Sequence, residues 1–133
     1  MFIGKMGKMS KEQINFKVLL RSPKYPAIVI SEDGLFSAYN IKQLGTLCVL
    51  SETFDEDDKI RVIDSSGCEF VYFQEHKAIM PGILNKKWTK KQIIELYNNS
   101  QNAKENNSNY PIKSLSSKKL SRIIGEICEL LKS

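Results

Sequence analysis

AIVISEDGLFSAYN, residues 27–40, decides the architecture of this chain. Ala27 to Ile30 is a branched apolar run with strand character. Glu32-Asp33-Gly34 is a turn signal, because Gly34 adopts positive φ at little steric cost, and Leu35 to Tyr39 resumes the strand. The segment therefore predicts a hairpin. Asn40 follows as an N-cap, and Ile41, Leu44, Leu47 and Cys48 lie on one face of a short helix that Gly45 weakens.

Working outward, Ile14 to Leu20 reads as a strand that ends at the breaker containing Pro23 and Pro26. Lys59 to Ile63 and Cys68 to Gln74 read as two more strands, joined by the turn Asp64-Ser65-Ser66-Gly67. In the second, Phe70, Tyr72 and Gln74 face one side and Glu69, Val71 and Phe73 the other. Met80-Pro81-Gly82 punctuates the chain. Thr89 and Gln92 have capping-box spacing ahead of Ile93, Ile94, Leu96 and Tyr97, which predicts a helix to about Asn98. Residues 98–111, rich in asparagine, offer little to bury. Leu120, Ile123, Ile124, Ile127, Leu130 and Leu131 mark an amphipathic helix starting near Ser116 or Ser117. The expected fold is α+β: a small antiparallel sheet of about five strands backed by two or three helices. The expected organisation is a disordered tail over 1–13, an α+β domain over 14–98, a flexible linker over 99–114 and a C-terminal helix over 115–133.

The 133 residues, 41% of them hydrophobic, suit one domain with one core. No apolar run approaches the length of a membrane span or a secretory leader, so a cytoplasmic protein without membrane contact is expected. Cys48, Cys68 and Cys128 are odd in number, lack C-x-x-C spacing and read as buried free thiols. The net charge of +5 is uneven: residues 1–83 carry −1 and residues 84–133 carry +6. The basic half permits a phosphate-bearing partner, although a solvated helical surface has the same composition.

Catalytic and metal chemistry find little support. His76 is the single histidine, so a two-histidine metal site is impossible, and it matches no nucleophile motif. The seven glycines form no G-x-G or G-K-[ST]. Asp55-Glu56-Asp57-Asp58 lacks the alternating ligands and central glycine of a calcium loop. No enzyme activity, metal or cofactor is expected. Two segments remain for binding. The acidic stretch Glu52 with Asp55, Glu56, Asp57 and Asp58 suits a basic protein surface. Lys86, Lys87, Lys90 and Lys91 around Trp88 suit nucleic acid, with lysines on phosphates and the indole stacked on a base. Trp88 also stands where a staple residue packs on Ile93. The terminal helix, with Lys118, Lys119, Arg122 and Lys132 opposite its apolar stripe, packs on its own domain or meets a second chain.

The phrases AIVISEDGLFSAYN and DDKIRVIDSSGCEFVY, within residues 27–72, resemble small bacterial immunity proteins of contact-dependent growth inhibition and other polymorphic toxin systems. The resemblance covers about a third of the chain and implies a cytosolic sheet-and-helix protein that neutralises a cognate toxin domain. Immunity proteins to nuclease toxins are often acidic, whereas this chain has a pI near 9.1. Either the patch at Glu52 and Asp55 to Asp58 docks locally, or the toxin is not a basic nuclease. The alternative reading is a small basic nucleic-acid-binding accessory protein of phage or plasmid origin.

Overall fold

The computed structural model describes residues 16–53, 59–82, 87–107 and 109–132. The order is β1 (Lys17–Val18), β2 (Ala27–Ser31), β3 (Gly34–Ala38), α1 (Ile41–Leu50), β4 (Arg61–Ile63), β5 (Glu69–Phe73), β6 (Ala78–Pro81), α2 (Lys90–Asn98), α3 (Gln101–Asn106), α4 (Ser114–Ser117) and α5 (Leu120–Leu131). The strands form one open sheet in the order β1-β6-β5-β4-β2-β3, antiparallel except where β1 lies parallel to β6.

The run Ala27 to Ile30 lies between β4 and the edge strand β3, and its packing explains its composition. Val29, Val62 and Phe70 are aligned across β2, β4 and β5 and point to the face covered by α1, where Leu44 and Cys48 are buried. Ile28 and Ile63 are aligned on the opposite face, beneath Ile93, Ile94, Ile123, Ile124 and Ile127 of α2 and α5. A strand buried on both faces needs apolar residues without alternation. Helices thus cover both faces, making three layers where a sheet with helical backing was expected.

Local chemistry fixes the connections. Asn40 caps α1 by accepting the Gln43 amide at 2.8 Å. Gly45, which costs helix propensity, is buried where the Phe16 ring leaves no room: a Cβ would lie 3.0 Å from that ring. Between β4 and β5 the buried Asp64 accepts the amides of Lys24 (3.0 Å), Ser66 (2.9 Å) and Cys68 (3.0 Å), and the Ser66 hydroxyl at 2.7 Å.

Several expectations need correction. The α+β class is as expected, but about five strands become six, because Met80-Pro81 closes β6 rather than merely interrupting the chain, and the sheet is mixed because β1 runs parallel to β6; Pro81, the last residue of β6, pairs with Phe70. The first strand spans only Lys17–Val18, and Leu20 turns away at φ 72°. The tail over 1–13 lies outside the described residues. Within the segment 99–114, expected as a flexible linker, the described residues include helix α3 and the start of α4. Ser100 caps α3, Ala103 and Tyr110 are buried, and Asn98 takes the Tyr110 amide at 2.7 Å while donating to its carbonyl at 3.1 Å. Asparagine carries a peptide-like donor and acceptor, so its polarity is met by backbone rather than water. The terminal helix, expected from 115, begins at Leu120; α4 is a separate turn, and Lys118 between them is extended. Its apolar stripe belongs to the same core as Ile28 and Tyr97.

Two outcomes follow from this packing. Ile127 is fully buried on the sheet, so Ile127→Ala should lower unfolding free energy by about 2–5 kcal/mol in a urea titration, whereas a tethered free helix would leave it unchanged. Glu126 accepts from Lys118 at 2.7 Å, Tyr110 at 2.6 Å and Arg122 at 3.2 Å, and these donors, Lys118 foremost, hold its carboxyl down at about 2 from 4.5. A lowered pKa stabilises above the unfolded value and is lost as pH falls. Glu126→Gln should therefore be less stable than the parent near neutrality, with the difference shrinking as pH falls from 4.5 to about 2 in thermal melts.

Candidate functional site

The β2–β3 turn, the outer side of α2 and the start of α3 enclose a cleft of about 670 Å³. Gly34, at φ 129°, allows the two-residue turn that projects Glu32 and Asp33, and Ser31 Oγ accepts the Asp33 amide at 3.2 Å. Across the cleft, the Thr89–Gln92 capping box fixes the start of α2, and Glu95 and Leu96 follow one turn later. Asn102 of α3 clamps the near side. Its carboxamide oxygen accepts the Leu35 amide and its nitrogen donates to the Leu35 carbonyl, both at 3.1 Å.

Trp88 lies on the wall of this cleft with its backbone and ring both held. Its amide donates to the Gly67 carbonyl at 2.8 Å, and its indole nitrogen donates to Glu69 Oε1 at 2.9 Å. The ring packs against the core that contains Ile93, as a staple residue does. The walls therefore combine exposed carboxylates at Glu32, Asp33 and Glu95 with the apolar surface of Trp88 and Leu96, and among the described residues no lysine or arginine lines the cleft. Three like charges around apolar surface attract an ammonium or guanidinium, which also gains from an aromatic face.

The residues singled out by sequence do not gather here as a set. Glu52 is engaged within the fold: it accepts both the Tyr72 hydroxyl at 2.5 Å and the Lys77 ammonium at 2.6 Å. Asp55, Glu56, Asp57 and Asp58 lie outside the described residues, as does Lys86. Lys87 and Lys91 are exposed, but Lys90 donates to the Leu115 carbonyl at 3.2 Å, and Trp88 is bonded to a carboxylate. A phosphate approaching that ring meets Glu69, Glu32, Asp33 and Glu95. His76 is exposed in the turn between β5 and β6. Among the described residues no three His, Cys, Asp or Glu side chains converge as metal ligands, and no helix is long and apolar enough to cross a membrane. Burial pushes the Cys48 and Cys128 thiols up to about 12, so neither is a thiolate at neutral pH.

Sequence reasoning located Glu32 and Asp33 only as a turn and passed over Glu95. A signal existed, since Glu95 is the single acidic residue between 84 and 104 in the basic half.

Asn102→Asp would set a carboxylate oxygen against the Leu35 carbonyl in place of a donor. It should cost about 1–3 kcal/mol in chemical denaturation and raise hydrogen exchange at Leu35. Comparison with family models, with curated proteins and with solved structures finds no match for this chain.

Proposed function

We propose that the chain is a non-catalytic binding protein that docks a basic protein surface, and that it serves as the immunity partner neutralising a cognate toxin domain in the cytoplasm. The observation that carries the reading is the cleft walled by Glu32, Asp33, Glu95, Trp88 and Leu96, with no cation among the described residues that line it. Carboxylates around apolar and aromatic surface have the make-up of a protein-recognition patch, where charge steers and fixes register while a buried ring supplies contact area. The patch is local. It meets the difficulty raised by a net charge of +5, because docking depends on the field at the contact and not on the sum. Three buried free thiols are in keeping with a reducing compartment.

Glu52 leaves the set of proposed contacts, since its two internal partners already satisfy it. The nucleic-acid reading keeps Lys87 and Lys91, loses Lys90 to the Leu115 carbonyl, and meets carboxylates at Glu32, Asp33 and Glu95 around the Trp88 ring.

The test uses the protein encoded directly upstream of this gene. Co-expression with the chain should restore growth that the upstream protein suppresses, and the two should bind in titration calorimetry. The triple variant Glu32→Lys, Asp33→Lys, Glu95→Lys should weaken that affinity about tenfold or more. Absence of both binding and protection would remove the immunity reading. Protection that survives charge reversal would remove the cleft from it.

A further inference from the structure

A second surface stands at the free edge of β3, away from the acidic cleft and independent of the function proposed for it. Among the described residues only β2 pairs with β3, so residues that turn their amides away from β2 present them to an open edge. Leu35 is one such residue, because both its amide and its carbonyl bond to Asn102. Tyr39, four residues on, gives its amide to Gln43 Oε1 at 2.7 Å. Amides alternate sides along a strand, so Ser37, midway between them, directs its N–H and C=O to the same open side. Among the described residues no side chain closes that pair. Exposed edges invite strand pairing, and this chain covers the edge at two positions and leaves one open.

The open position lies in a groove of about 470 Å³ between α1 and the end of α5. Phe36, Leu47 and Leu131 supply half-buried apolar walls, and Lys42 and Lys132 stand at the mouth. Lys132 is 3.6 Å from Glu129 and lies over the Tyr39 ring, whose hydroxyl also bonds Glu129. With Glu129 counted, the mouth keeps one net positive charge. We infer that this groove is a docking site for an extended peptide segment of a partner protein, one that pairs its backbone with Ser37, lays an apolar side chain between α1 and α5 and brings a carboxylate to Lys42. The pattern is that of strand addition, shortened to one backbone pair by the carboxamides on either side.

The probes are two capped pentapeptides, one alternating valine with glutamate and one alternating valine with lysine, each titrated into the ¹⁵N-labelled full chain. The glutamate peptide should shift the amide resonances of Phe36 to Ala38, and the lysine peptide should leave them in place. Ser37→Pro removes the outward donor at a position where an edge strand tolerates proline, and should weaken binding about tenfold. Lys42→Glu, on an exposed helical position that leaves the core untouched, should abolish the preference for glutamate over lysine. The inference is overturned if the Ser37 amide does not respond, if both peptides act alike, or if Lys42→Glu changes nothing. It is also overturned if sedimentation reveals a dimer of the chain that Ser37→Pro dissociates, because the edge then belongs to a second copy.

Discussion

The first three residues of strand β2 have no face left for water. Ala27, Ile28 and Val29 are completely buried, and the backbone is taken up by ladders to β3 on one side and β4 on the other. Side chains on both faces must be covered by something, at roughly 1.5–3 kcal/mol for each large aliphatic removed from water. Helix α1 supplies one cover, and α2 with α5 the other. The hairpin, the three layers and the docking of a helix far along the chain are all answers to that single demand.

The cleft inherits its rigidity from the same arrangement. Glu32 and Asp33 extend from the end of β2, while Trp88 directly precedes, and Glu95 rides on, a helix whose start is fixed by a capping box and whose inner face is sunk in the core. Carboxylates brought together from rigid elements lose little freedom when a partner arrives, which favours recognition over adaptation. Lys90, two residues from Trp88, is tied to the Leu115 carbonyl, whereas Lys87 and Lys91 are exposed.

What could be read from the sequence was what neighbours in the chain decide among themselves. Asn40 with Gln43, Thr89 with Gln92, and Gly34 in its turn act over three or four residues, and their helices and hairpin stand close to where the pattern set them. The misreadings share a different cause. Strand β6 exists because β5 and β1 flank it, which no local window contains. Asn98 and Asn102 read as spacer because their partners, the Tyr110 backbone and Leu35, are conformation-dependent or distant. The acidic cleft joins residues about sixty positions apart, and only folding makes them neighbours.

The contact between α5 and the first hairpin also imposes an order on events during synthesis. The thiol of Cys128 meets the carbonyl of Ala27 across 101 residues of chain. Until α5 has emerged from the ribosome, the Ile28 and Ile63 face of the sheet has only part of its cover, and loops this long close slowly relative to local structure. A nascent chain paused before Leu120 would therefore present an apolar sheet surface to chaperones, and cooperative folding waits until α5 has been made.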